Sequence, residues 1–159
     1  MEHKAIAETL FNSGCNCAQA VFCAFCDETG MDKETAMKIS SSFGAGMGKM
    51  REVCGACTGA FAVAGALWGY SDIDDDKAKA AHYELIRRIG DDFKKEYNTI
   101  ICRDLLKGLK NIDTPEPAKR TDEYYAVRPC ARFVSLATEI IDKIIAEKAV
   151  LDKETAFSR

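Results

Sequence analysis

Residues 53–71, VCGACTGAFAVAGALWGYS, decide the fold because this helix-length stretch contains no charged residue. Gly, Ala and Cys dominate it rather than Leu and Ile, and no basic clusters flank it. A membrane span is one interpretation, since Gly55/Gly59 and Gly65/Gly69 have the spacing of membrane helix contacts. We favour a helix buried in protein, because the neighbouring stretches are amphipathic and glycines let helices approach closely.

Outside this stretch, apolar residues recur with helical periodicity and polar or glycine-rich breaks separate the segments. The predicted helices cover about residues 2–11, 16–29, 32–39, 51–70, 74–93, 99–106 and 129–145. Their predicted caps are Ser13 or Asn16, Asp32, Asp72 or Asp74, and Asn98 or Thr99, with Pro129 in the first turn of the last helix. Residues 111–122, which include Pro115 and Pro117, form the predicted loop. We predict an all-α single-domain bundle of about seven helices around a buried Gly/Ala-rich central helix. The domain covers residues 1–151, and residues 152–159 are a frayed tail.

Composition limits the possible partners. The chain has 159 residues, a net charge of -3 and 47% hydrophobic residues, as an ordinary soluble domain does. Its basic residues form no dense block, so we expect no nucleic-acid partner. An amphipathic stretch, rather than a long apolar run, follows Met1, so we expect no secretory leader and a cytoplasmic location. The expected partner is a redox protein of unknown identity, and a homo-oligomer stays open.

The chain contains eight cysteines, a surplus that in the cytosol indicates redox chemistry or metal binding rather than structural disulfides. Four of them, Cys17, Cys54, Cys102 and Cys130, fall in or near the first turn of a predicted helix. A helix N-terminus stabilises a thiolate, and it also suits the negative charge of a thiolate-ligated cluster. Arg51 near Cys54, and Arg128 and Arg132 beside Cys130, act in the same direction.

The other cysteines have simpler interpretations. Cys23 and Cys26 lie among apolar residues and are predicted to pack as small hydrophobic side chains. Packing and function both stay open for Cys15 and Cys57. The Cys54-x-x-Cys57 and Cys23-x-x-Cys26 spacings suit dithiols, but no strand precedes them as a thioredoxin-like site requires. The two histidines, His3 and His82, are predicted on solvated helix faces, which argues against a Cys/His zinc site.

The turn containing Gly44, Gly46 and Gly48 is a candidate cofactor-binding element. It matches neither the dinucleotide fingerprint nor the P-loop pattern. A tight connection that packs near the Cys54 helix explains it structurally. Its backbone N–H groups are also candidates to line an anion pocket.

Five motifs together resemble the C-GCAxxG-C-C family of redox-active proteins. They are NCAQAV at 16–21, GAGMG at 44–48, CGACTGA at 54–60, CRDLL at 102–106, and Cys130. The family is a group of small, largely bacterial and archaeal proteins with four shared cysteines, and the resemblance covers about residues 11–137. It implies that the shared cysteines are Cys17, Cys54, Cys102 and Cys130. Some relatives carry selenocysteine, and a similar domain in split-Soret cytochromes accompanies an iron–sulfur centre. Cys57 departs from the family pattern, in which a small apolar residue is common there, and Cys15, Cys23 and Cys26 are likewise extra.

Three functions remain open. The leading hypothesis is electron transfer through an iron–sulfur centre held by Cys17, Cys54, Cys102 and Cys130. The second is thiol–disulfide exchange, with Cys54 as the nucleophile and Cys57 or another cluster thiol as the resolving group. The third is a non-catalytic metal-binding or sensor module.

Overall fold

Residues 3–157 of a computed structural model form ten helical segments. These are α1 (His3–Asn12), α2 (Cys17–Ala24), α3 (Cys26–Thr29), α4 (Lys33–Ser41), α5 (Gly44–Met47), α6 (Gly55–Trp68), α7 (Asp76–Tyr97), α8 (Cys102–Leu105), α9 (Asp122–Val127) and α10 (Cys130–Phe157). Three of them, α3, α5 and α8, are segments of 4 residues, so the prediction of about seven helices is close. Within this range the chain has no strand, only one isolated bridge, and the predicted all-α single domain is confirmed. Residues 1–2 and 158–159, on which the leader and tail predictions partly fall, lie outside the described range.

Helix α6 lies at the centre of the bundle, as predicted. It packs against α2, α7 and α10, and α2 and α10 also hold α1 between them. Gly59 sets the distance to α2, since a Cβ atom there would lie only 2.9 Å from the Ala18 carbonyl oxygen. The last turn of α6 is not buried, because Ala66 is exposed and its neighbours Gly65 and Leu67 are half-buried. The prediction of a helix buried on all sides is therefore corrected at its C-terminal end.

Several predicted helix boundaries are wrong by a few residues. Helix α6 begins at Gly55 rather than near Arg51, because the preceding turn has left-handed backbone, with φ of 67° at Lys49 and 59° at Arg51.

Asp75, rather than Asp72 or Asp74, caps α7. The predicted caps Asn16 and Asp32 are confirmed at α2 and α4. Pro129 lies just before the first residue of α10 rather than inside its first turn.

The second half of the chain differs most from the prediction. Neither Asn98 nor Thr99 caps α8, since Asn98 ends α7 in a left-handed conformation and the N-cap of α8 is Ile101. Helix α9, capped by Thr121, was not predicted, because it is a short segment directly after the proline-containing loop. Helix α10 continues beyond residue 151 to Phe157, whereas residues 152–159 were predicted to form a frayed tail. The side chains of residues 151–156 are all exposed. A helix turn that buries no side chain needs no apolar periodicity, so the sequence contains no signal for it there.

None of the helices in residues 3–157 combines the length and the apolar content that a membrane crossing requires. The uncharged α6 has only 14 residues, fewer than the roughly 20 that span a bilayer.

Candidate functional site

Four cysteines that lie far apart in the sequence line one small cavity inside the bundle. Cys17, Cys102 and Cys130 are the first residues of α2, α8 and α10, and Cys54 is the N-cap of α6. All four are buried, with exposed fractions between 3% and 9%. The predicted placement of these cysteines at helix starts is confirmed. The cavity measures about 20 Å³, enough for one water-sized atom, so a larger group would need the lining side chains to move apart.

Backbone pairing places Cys54 beside Cys102. The Cys54 N–H donates to the carbonyl of Ile100 at 2.7 Å, and the Cys102 N–H donates to that of Glu52 at 2.6 Å. The bridge between Val53 and Ile101 lies between these two bonds. This short antiparallel pairing joins the start of α6 to the start of α8. No local sequence pattern predicts it.

Glycines allow the remaining elements to approach. A Cβ atom on Gly55 would lie 3.2 Å from the Cys17 Cβ atom, so the starts of α2 and α6 are in close contact. A Cβ atom on Gly46 would lie 2.6 Å from the Cys102 Cβ atom and 2.8 Å from the Arg51 Cα atom. Gly46 therefore closes the cavity beside Cys102, in a backbone conformation with φ of 68° that favours glycine.

The glycine-rich turn itself is wound in the left-handed sense. Positive φ angles run through 54° at Ala45, 68° at Gly46, 67° at Met47, 63° at Gly48 and 67° at Lys49. Left-handed backbone costs about 1–2 kcal/mol at each non-glycine residue, which explains why glycine alternates through this turn. The turn is strained, and it borders the cysteine cavity through Ala45 and Gly46.

Cys17 and Cys130 form a thiol pair within the cavity. The Cys17 thiol hydrogen-bonds with the Cys130 sulfur, which raises the pKa of Cys17 and lowers the pKa of Cys130 to about 7. The cations of Arg128 and Arg120 contribute to this lowering of the Cys130 pKa. Of the two thiols, Cys130 is thus the one that ionises near neutral pH.

Cys54 and Cys57 form a second pair, of which only Cys54 lines the cavity. The Cys57 thiol hydrogen-bonds with the Cys54 sulfur, and the backbone N–H groups of Ala56 and Cys57 do so as well. These contacts lower the pKa of Cys54 despite its burial, while the same thiol pairing raises the pKa of Cys57. The N–H groups at the start of α6 therefore lower the pKa of Cys54, as predicted from its position at a helix N-terminus.

Arg51 acts on Cys102 rather than on Cys54, which corrects the expectation from sequence proximity. Its Nη1 atom lies 3.5 Å from the Cys102 sulfur, and its Nε atom donates to the Ile112 carbonyl at 2.7 Å. Burial raises the pKa of Cys102, and the guanidinium opposes that shift. Arg51 is only 4% exposed and forms no ion pair with any carboxylate in residues 3–157. A buried cation needs a compensating negative charge, which the Cys102 sulfur would supply as a thiolate, for example when it ligates a metal.

The other four cysteines lie outside the cavity. Cys23 and Cys26 hydrogen-bond with each other, and burial together with the negative charge of Cys26 raises the pKa of Cys23 to about 11. Cys15 is half-buried, with its sulfur 4.0 Å from the Met37 sulfur. All eight cysteines are free thiols in the structure.

The histidines do not lie on solvated faces as predicted. His3 is 7% exposed, stacks on Phe25, and pairs with Asp142 at 2.6 Å and with Asp27 at 3.3 Å. His82 is half-buried against Tyr70. Neither histidine lines the cysteine cavity, so the donors available there are sulfur atoms.

The donor set fits a thiolate-ligated group. Four cysteine sulfurs are the usual ligands of iron–sulfur clusters. Within residues 3–157, no three cysteine sulfurs lie within 4.8 Å of one another. A single tetrahedral zinc ion, with Zn–S bonds of about 2.3 Å, would have to draw the sulfurs closer together, whereas a multi-iron group holds its ligands further apart.

Comparison with known proteins agrees with the site. Residues 15–144 match the family described as "Putative redox-active protein (C_GCAxxG_C_C)". No curated protein and no solved structure matches the chain. The matched residues include all four cysteines of the cavity and the glycine-rich turn beside them. The chain therefore belongs to the C_GCAxxG_C_C family.

Proposed function

We propose that this chain is an electron-transfer protein that holds an iron–sulfur centre on Cys17, Cys54, Cys102 and Cys130. The observation that carries the proposal is the meeting of these four buried thiols beside a buried guanidinium that has no carboxylate partner. Such a centre would supply a one-electron couple, which the side chains of this protein lack.

The residues of the chain have clear parts in this proposal. The N-termini of α2, α6 and α10 direct positive dipole ends towards Cys17, Cys54 and Cys130. Cys102 begins only a single turn, and Arg51 provides the positive charge there instead. Leu105, Leu106 and Phe133 complete the wall of the cavity and exclude water. Because thiolate ligands add negative charge, these positive groups favour the more reduced, more negative state of a bound centre.

Anaerobic purification followed by iron and acid-labile sulfide analysis tests the proposal. We expect a brown protein with visible absorption and iron and sulfide in similar amounts. Cys102→Ser should lose most of this absorption. Cys23→Ser is the matched control, because Cys23 and Cys102 are equally buried at 6% exposed and only Cys102 lines the cavity. A colourless protein that takes up neither iron nor sulfide on reconstitution would contradict the proposal, and stoichiometric zinc would favour a non-catalytic metal-binding module.

A second candidate function is thiol–disulfide exchange at Cys54 and Cys57. It is favoured by the hydrogen bond between these two thiols and by the lowered pKa of Cys54. The Cys54 thiolate would attack a partner disulfide and release one partner thiolate, and the Cys57 thiol would then displace the second as a Cys54–Cys57 disulfide forms. Cys54 and Cys57 are only 3% and 1% exposed, so a partner disulfide reaches them only if the structure opens, and we rank this function second.

Disulfide mapping distinguishes the two functions. In metal-free protein treated with oxidised glutathione, exchange chemistry predicts an intramolecular Cys54–Cys57 disulfide. Cys57→Ala should instead trap a glutathione adduct on Cys54. If oxidation joins Cys17 to Cys130 while Cys54 and Cys57 stay reduced, the nucleophile has been assigned to the wrong pair.

A further inference from the structure

An open groove of about 520 Å³ borders the glycine-rich turn at Gly44, Ala45 and Gly48. Four cations line it, Lys49, Arg51, Arg120 and Arg128, and we call it the cationic groove. The polar side chains of Asn16 and Gln19 form part of its wall. Apart from Arg51, which also contacts Cys102, no residue of this surface has a part in the proposed electron-transfer function.

No carboxylate of residues 3–157 forms an ion pair with the cations of the cationic groove. No Asp or Glu side chain of the same residues lines it. Burial and the charges of Arg51 and Arg128 lower the pKa of Lys49, with Glu116 opposing the shift. Four like charges in one concave surface repel one another, and this repulsion is relieved when an anion binds.

The guanidinium groups are held in fixed positions. Arg120 lies over the rings of Phe11 and Tyr124, at 4.8 Å and 4.7 Å from their centroids, and donates to the Cys15 carbonyl at 3.1 Å. Arg128 lies over the same Tyr124 ring at 5.0 Å. A guanidinium has five N–H donors, so each retains donors for a ligand after these contacts. Anchored donors lose little side-chain entropy when an oxyanion binds.

We propose that the cationic groove binds a small organic molecule that carries phosphate groups. Several guanidinium forks and an ammonium match the oxygens and the multiple negative charge of phosphate. The volume falls in the range of about 300–1,000 Å³ typical of small-molecule sites. Backbone N–H groups of the turn are not the main donors, since those of Met47 and Gly48 already bond to the carbonyls of Phe43 and Gly44.

The ligand would lie next to the cysteines. Ala45 and Arg51 line both the cationic groove and the cysteine cavity, so the two sites are adjacent. The proposal does not depend on a metal centre, because side chains of the protein alone would bind the phosphate groups.

Calorimetry on the reduced chain, verified to be free of metal, tests the proposal at low ionic strength. The probes are inorganic phosphate, pyrophosphate and adenosine diphosphate, with citrate as a carboxylate probe. We expect one saturable site, tighter for pyrophosphate and adenosine diphosphate than for phosphate or citrate. Lys49→Gln with Arg128→Gln should weaken binding about a hundredfold, at about tenfold for each charged hydrogen-bonding group removed.

The matched control is Arg132→Gln with Lys107→Gln. This double variant removes the same net charge as the first. Arg132 is as close to Cys130 in sequence as Arg128 is. Neither Arg132 nor Lys107 lines the cationic groove. Affinity in this variant should change by less than about threefold, the size expected for exposed charges at a distance. An equal loss in both double variants, or no saturable binding of any probe, would overturn the proposal. So would tighter binding of poly-glutamate than of every small anion.

A measurement on the unaltered chain makes the test independent of whether the variants fold. Bound pyrophosphate should slow acetylation of Lys49 by an activated ester and leave acetylation of Lys107 unchanged. Equal protection of both lysines, or of neither, would contradict the site. Iron and sulfide uptake is measured in a separate experiment. Loss of phosphate binding can therefore be distinguished from failure of the proposed electron-transfer function.

Discussion

At the scale of single residues, neighbours rather than burial distinguish one cysteine from another. Cys130 and Cys23 are almost equally enclosed, at 7% and 6% exposed. Cys130 accepts a hydrogen bond from Cys17 and lies near arginines, which holds its pKa at about 7. Cys23 has the nearby negative charge of Cys26 in addition to its burial, and its pKa is about 11. Reactivity in this chain is therefore set by a few charged and hydrogen-bonding groups.

Alkylation of the metal-free, reduced protein checks this difference. Since only the thiolate reacts, the rate at Cys130 should be half-maximal near pH 7 and then level off, while the rate at Cys23 should still be rising at pH 10. Mass spectrometry of iodoacetamide adducts over a range of pH measures both sites in one sample. Cys17→Ala should move the Cys130 midpoint to higher pH, because the hydrogen bond that stabilises the thiolate is lost. Equal pH profiles at the two residues would refute the assigned environments.

At the scale of elements, the four glycines of the central helix region have different roles. Gly55 and Gly59 touch α2, whereas a Cβ atom on Gly65 would meet nothing within 4 Å. Gly69 is the C-cap of α6, and its N–H donates to the Gly65 carbonyl at 2.9 Å. The predicted close contact between helices is thus made by the first glycine pair and not by the second.

Gly59→Ala and Gly65→Ala form a matched pair within one helix. The first places a methyl group 2.9 Å from the Ala18 carbonyl oxygen and 3.0 Å from the Val21 Cβ atom, so α2 and α6 must separate. We expect it to lower the free energy of unfolding by about 1–3 kcal/mol. The second fills open space and should raise the free energy of unfolding by about 0.5–1 kcal/mol, since alanine favours the helix. Urea unfolding measures both, and effects of the same sign would contradict the packing described for α6.

At the scale of the whole molecule, the cysteine cavity is where four segments of the chain meet. Its four candidate ligands lie at the starts of α2, α6, α8 and α10 and range from residue 17 to residue 130. A group bound to all four would join the early and late parts of the chain. Stability of the bundle should therefore depend on whether the site is loaded.

Removal of the metal should lower the melting temperature. A ligand present at about a hundred times its dissociation constant stabilises the folded state by about 2.7 kcal/mol, which for a chain of this size corresponds to roughly 5–10 °C. Differential scanning calorimetry of the loaded and the chelated protein measures the shift. Cys23→Ser should retain it and Cys102→Ser should abolish it. A melting temperature that does not change on loading would argue against four ligands from separate elements.

The sequence by itself determined the all-α class, the central position of the uncharged helix and the placement of Cys17, Cys54, Cys102 and Cys130 at helix starts. These features depend on helical periodicity, capping residues and glycine, which act over a few neighbouring residues. Membership of the family also followed from motifs that are readable along the chain.

Only the tertiary structure decided which groups surround each thiol. Arg51 contacts Cys102 and Ile112, and Arg120 reaches the Cys15 carbonyl. These contacts join residues far apart in the sequence, as does the backbone pairing of Cys54 with Ile100. No local pattern encodes them, because they exist only once the packing of the helices has brought distant segments together. The electrostatics of the cysteine cavity and the cationic groove beside it are therefore properties of the folded chain.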